Sequence, residues 1–189
     1  MESATAWWQS GRMDRDERLF AYLDDLEQEA EARFDTERTG ELGDRARVEY
    51  AAVTLAGRLM ASVGRSVTLE VSGVGAVAGS LDRAAADWCL VGAGTTTWVV
   101  RLPHVVAVEG TSGRSVPDAA WSAVSRLGIG SPLRGLADAA EPCRVHTAAG
   151  TTYDVVVERV GADFVEVTSG QGRTLVLPLA KIAAVRTLG

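Results

Sequence analysis

Apolar and polar positions alternate over two stretches of the chain that stand 76 positions apart. In SVTLEV, residues 66–71, Val67, Leu69 and Val71 take one side; in PCRVHT, residues 142–147, Cys143, Val145 and Thr147 take the same places. A period of two belongs to strands with one buried face. The correspondence runs on without a gap. LDRAAADWCLV (81–91) and VERVGADFVEV (157–167) set Arg83 against Arg159, Asp87 against Asp163 and Trp88 against Phe164. Further on, LPHVVAV and LPLAKIAAV share a Leu-Pro, Leu102-Pro103 and Leu177-Pro178, before a final apolar strand. Each copy thus predicts a strand, a glycine turn, a longer strand, two short strands, a Leu-Pro break and a closing strand.

Elsewhere the period lengthens to that of a helix. From Asp14, the apolar residues Leu19, Leu23, Leu26 and Ala30 fall at spacings of four, three and four, and Phe20 widens the stripe at its start. Gly40 and Gly43 predict a break or hinge. A second helix is expected from about Asp44 to Val63 on Val48, Ala52, Leu55, Leu59 and Val63, with Gly64 as its stop. Between the copies, Asp118 can cap a helix bearing Trp121, Val124 and Leu127 on one face. Ser131 and Pro132 suit the N-cap and first turn of another. The predicted organisation is a flexible tail (1–12, with Trp7 and Trp8), a helical arm (13–64), a first β unit (65–110), a linker with helices (111–141) and a second β unit (142–189).

Charge sharpens the picture of the arm. The chain carries a net charge of −6, and residues 12–49 hold 13 acids against 7 arginines, while the remainder holds 12 acids and 12 bases. The excess therefore lies in the arm, and neither part has the basic surplus that phosphate neutralisation demands. The arm's apolar seam, Leu19, Phe20, Leu23 and Leu26, either folds back on the chain or meets a partner; two heptads are too few to define a coiled coil.

Composition narrows the class. In 189 residues, 47% are hydrophobic, ample for a core, and no run approaches the roughly 20 apolar residues of a membrane span. The N-terminal residues lack the basic and apolar regions of a secretory signal, so a cytoplasmic location is expected. Cys89 and Cys143 have neither CxxC spacing nor a nearby histidine pair, which points away from disulfides and zinc.

Candidate chemistry is sparse. No P-loop, Rossmann fingerprint, GxSxG or HExxH occurs, and GVGAVAG lies between two predicted strands, where it reads as a turn. The repeat sets His146 on Glu70 and His104 on Lys181, which marks both histidines as surface strand positions. It sets Cys89 on Val165 and Cys143 on Val67, which marks both cysteines as core residues. Asp87 and Asp163 each precede an aromatic at a strand start. They read as turn-stabilising residues, with a partner contact or a carboxylate pair as alternatives. Arg83 and Arg159 recur beside them and could pair with them. No catalytic set, metal or cofactor is expected.

A helix followed by five short, strongly bent strands resembles the Sm-like barrel, a member of the SH3-like group. Gly75, Gly79 and Leu81 match part of the first Sm motif, and Asp87 stands where Sm proteins place an RNA-contacting Asn. The Arg-Gly of the second motif is replaced by Arg101-Leu102-Pro103. From Met13 onward the chain also resembles an uncharacterised actinobacterial family, with LFAYLDDLE at its start and two GADW/GADF-type units, here AADW and GADF. Members of that family are often described as Fis-family transcriptional regulators. Such a regulator needs a helix-turn-helix, whereas the C-terminal region here reads as strands.

These resemblances imply an α+β protein: an N-terminal helical arm followed by two small five-stranded Sm-like barrels, each preceded by a helix. The function expected is a non-catalytic interaction or assembly module, its partner a second copy or another protein and no membrane. The alternative is an RNA-binding regulator using Arg83, Trp88, Trp98, Arg101, Arg159 and Arg173.

Overall fold

The computed structural model describes residues 47–188, and the contacts divide the chain into two units, residues 1–52 and 53–189. Of the first unit, residues 47–51 are helical. The arm residues Leu19, Phe20, Leu23 and Leu26, like Trp7 and Trp8, lie outside the described residues.

The second unit begins with a short helix, α1 (Leu55–Met60). The continuous helix expected from Asp44 to Val63 is interrupted. Thr54 is extended (φ −97°, ψ 155°), and its hydroxyl accepts a hydrogen bond from the Gly57 N–H at 3.1 Å, which caps a new helix. Gly57 is required by packing. A Cβ there would lie 2.6 Å from the Val116 carbonyl, whose own N–H donates to the Gly57 carbonyl at 3.0 Å.

Ten strands follow in one antiparallel sheet. The first half holds β1 (Ser66–Val71), β2 (Gly75–Ala84), β3 (Trp88–Ala93), β4 (Thr96–Arg101) and β5 (Val105–Glu109). A linker leads to α2 (Gly130–Ala139). The second half holds β6 (Pro142–Thr147), β7 (Thr152–Val160), β8 (Phe164–Ser169), β9 (Thr174–Pro178) and β10 (Ile182–Thr187). The strand order is β5-β1-β2-β3-β4-β10-β6-β7-β8-β9.

This order corrects the expectation of two barrels. Closing either half would require its own two outer strands to meet. The outer strand β4 pairs instead with β10, so the halves fuse into one open sheet, with Val100, Val99 and Trp98 opposite Ala184, Val185 and Arg186.

The internal repeat survives in backbone detail. β1 and β6, and β3 and β8, correspond at the 76-residue offset. The ladder shifts between Leu81 and Arg83 in one half and between Val157 and Arg159 in the other, the same bulge twice. The shared Leu-Pro was misleading. The Leu102 N–H donates to the Asp87 carbonyl and the Leu179 N–H to the Asp163 carbonyl, so Leu102 corresponds to Leu179, and the offset is 77 from β4 and β9 onward. His104 and Lys181 then end the two matching 3-10 turns.

Two cores lie on opposite faces of the sheet. Val67, Leu69, Val71, Val77, Leu81, Val91 and Val100 form the first with Leu59 of α1; Val145, Val155, Val157, Val165, Val167 and Ile182 form the second with Leu133 and Leu136 of α2. Consecutive residues of the joining strands feed both: Val99 and Val185 enter the second core, Val100 and Ala184 the first. β10 is consequently buried from Ile182 through Val185 without alternation, as in a strand covered on both faces.

The linker departs from its expected helix. Residues 118–126 contain only two single 3-10 turns, Asp118–Ala120 and Val124–Arg126, with Trp121 extended between them (φ −70°, ψ 134°). Trp121 packs on the first core and its Nε1–H donates to the Val116 carbonyl at 3.0 Å, whereas Val124 and Leu127 remain exposed. α2 also starts earlier than expected, with Ile129 at the N-cap and Ser131 and Pro132 inside it.

Candidate interaction edges and the cleft at the joint

The β4–β10 joint shows how this sheet accepts another strand. Val99 and Val185 face each other across it at 3% and 1% exposure. Ala85, Trp88 and Val99 of the first half enter the second half's core; Ala183 and Ala184 of the second half enter the first's. Polar contacts reinforce the exchange: Thr97 N–H donates to Thr187 Oγ1 at 2.9 Å, Arg101 Nη1 donates to the Leu179 carbonyl at 2.6 Å, and His104 Nε2 lies 3.2 Å from the Ala180 carbonyl.

At the ends of the sheet, β5 and β9 each pair with one neighbour among the described residues, β1 and β8. Each outer strand carries an exposed valine, Val106 at 68% and Val176 at 60%. Unpaired backbone beside exposed apolar side chains is the usual template for strand addition.

A cleft of about 480 Å³ opens where the two halves meet the start of α2, lined by Asp87, Arg101, Ile129, Arg134, Asp163 and Leu179 among others. Asp87 and Asp163 thus come to one cleft, as their repetition allowed. Arg101 Nε approaches Asp87 Oδ2 at 3.9 Å, beyond hydrogen-bond reach, and Arg101 Nε and Asp87 Oδ1 are buried without a hydrogen-bond partner among the described residues. The cleft carries both signs of charge, Asp87 and Asp163 with Arg101 and Arg134, and the Ser131 hydroxyl.

On the sheet face beside the first core, register aligns Trp98, Arg186, Arg144 and Asp154 across β4, β10, β6 and β7. The Arg186 guanidinium lies 5.6 Å from the Trp98 ring centroid, and the His146 ring packs on Trp98 at 5.2 Å. Arg144 forms two hydrogen bonds to Asp154, at 2.6 and 2.7 Å, which hold that carboxylate below its ordinary range. Burial, then the neighbouring Arg144 and Arg186 cations, lower the pKa of His146, which favours the neutral ring at neutral pH. The row was hidden in the sequence because its members come from four strands; the joint alone brings Trp98 to His146.

The six residues considered for RNA do not form one surface. Trp88 is 4% exposed with its Nε1–H donating to the Leu127 carbonyl at 2.8 Å, so its ring faces are covered. Trp98 is partly covered by Arg186 and His146, and Arg101 is in the cleft. Arg159 is exposed and pairs with Glu166 at 2.7 Å, not with Asp163. Arg83 is exposed on β2, opposite Leu90 on β3. Arg173 is exposed in the turn before β9.

Both cysteines serve as packing. Burial pushes the Cys89 thiol up to about 12, and burial together with the Glu141 and Asp154 carboxylates pushes Cys143 up to about 11, so neither is a thiolate at neutral pH. Among the described residues no helix is long and apolar enough to cross a membrane, and no cluster of His, Cys, Asp or Glu could hold a metal ion. No protein-family model matches this chain, and no curated protein matches it in sequence.

Proposed function

We propose that the protein is a non-catalytic assembly module that associates with further copies of itself through the open edges of its sheet. One observation carries this reading: among the described residues β5 and β9 each leave one backbone edge unpaired and present Val106 and Val176 beside it. The chemistry of the side chains agrees with a binding role. The thiols are protonated, and the cations nearest the joint are engaged with Asp154, Trp98 or the Leu179 carbonyl.

Light scattering on the whole chain over a wide concentration range tests the reading. Mass should rise with concentration above that of one chain. A constant single-chain mass overturns self-assembly as the function.

A further inference from the structure

Resting on that assembly reading, we propose that copies join head to tail, β9 of one pairing antiparallel with β5 of the next in the register that β4 and β10 already use within the chain. The two free edges differ from one another, and each is the repeat counterpart of one side of the joint. β9 corresponds to β4, because Val100 pairs with Cys89 and Leu177 pairs with Val165 in the matching ladders. β5 corresponds to β10, because Val71 pairs with Val105 and Thr147 pairs with Ile182.

The side chains retain what the joint uses. Val99, buried at 3% by its neighbour half, has Val176 as its counterpart, and Val176 is 60% exposed. Ala183, wholly buried in the other half's core, has Val106 as its counterpart, and Val106 is 68% exposed. Valines thus remain where the internal joint buries its own apolar residues and where water now meets them. A solvated strand position has no need of an apolar side chain; a position that docks into a neighbour's core does.

Transferring the joint's register sets Ala107, Val108 and Glu109 of one copy opposite Leu177, Val176 and Leu175 of the next. Val176 would enter the next copy's first core beside Val108, as Val99 enters the second core beside Val185. Exposed Glu109 would lie diagonal to exposed Arg173, and Lys181, counterpart of His104, would reach the Pro103 carbonyl as His104 reaches that of Ala180. The contact joins unlike edges and leaves one of each free, so repetition gives a ring if the rotation closes and a filament if it does not.

Two whole-chain variants test this, Val106→Lys on β5 and Val176→Lys on β9. Both sites are exposed, so circular dichroism and melting should match the parent. Each variant alone should have the mass of one chain at concentrations where the parent associates. Their equimolar mixture should give a species of two chains and none larger, since only the intact β9 of the first and the intact β5 of the second can meet. If the parent associates but both variants retain its mass, the edges are not the contact: this inference falls, and with it the edge route of assembly, while self-association itself stands. If only one variant dissociates, like edges pair; if the mixture stays monomeric, β9 and β5 do not meet; either result overturns head-to-tail joining. A monomeric parent overturns both.

Discussion

Trp88 and Phe164 hold the same place in the two halves of the sheet, yet their surroundings differ. Around both, the backbone repeats: the Ala85 N–H donates to the Trp88 carbonyl at 2.8 Å and the Gly161 N–H to that of Phe164 at 2.9 Å. The side chains then diverge. Trp88 reaches into the core of the neighbouring half and is 4% exposed. Phe164 folds over its own turn, where a Cβ on Gly161 would lie 2.6 Å from its ring, and stays half-buried. Asp87 and Asp163 divide in the same way, one beside Arg101 and the other exposed. The two halves share the hydrogen-bonded frame, and the presence or absence of a neighbour decides what each side chain does.

The comparison can be broken most directly by truncating both rings. Trp88→Ala should cost about 3–5 kcal/mol, as for a large aromatic removed from a core, plus the strain of leaving the Leu127 carbonyl without its donor. Phe164→Ala should cost roughly 1–2 kcal/mol, in proportion to the smaller area it hides. Urea denaturation of both variants measures the gap, and equal losses would refute the assigned asymmetry.

A smaller effect is expected at the arginines. Arg101→Met removes a charged donor across the joint, from a side chain only 19% exposed, and should cost about 1.5–3 kcal/mol. Arg159→Met removes an ion pair whose arginine is 79% exposed and should change stability by no more than about 0.5 kcal/mol. The same urea titration reads the difference; a larger loss at Arg159 would move the weight from the joint to the surface.

The smallest effect concerns His146, which sits where the halves meet. Its folded pKa lies below the ordinary 6.5, so the unfolded chain takes up its proton first as pH falls. The histidine's contribution is therefore intact above 6.5 and is lost as pH drops through the window between 6.5 and the lower folded value. His146→Gln should flatten the stability profile across that window. An unchanged slope would mean that protonation costs the fold nothing.

Much of the strand content was legible in the sequence because the first and second cores each take alternate residues from strands that bury one face, as Val67, Leu69 and Val71 do. The joint was not. Edge pairing is made by backbone groups that every residue carries, so nothing local in TTWVVR or IAAVRT distinguishes closing a barrel from extending a sheet. One trace was present: Val99-Val100 and Ile182 to Val185 are unbroken apolar runs, which fit strands covered on both faces. The Leu-Pro match failed because burial is conserved at Leu102 and Leu179, both 8% exposed, whereas Leu177 is only half-buried on β9. The helix expected at Trp121, Val124 and Leu127 failed because only the tryptophan found a core to join. The cleft was half legible: Asp87 and Asp163 recur visibly, while Arg134 comes from α2, ahead of the strands in which the repeat was read.

The position of β10 bears on how the protein is made. A ribosome must synthesise through residue 187 before the strand between β4 and β6 exists, so β4 emerges early and waits with its backbone edge unsatisfied while more than 80 residues are added. Pairings so distant along a chain form slowly and leave nascent edges open to capture by neighbours. The strand that unites the sheet is thus also the interval of greatest exposure during biosynthesis.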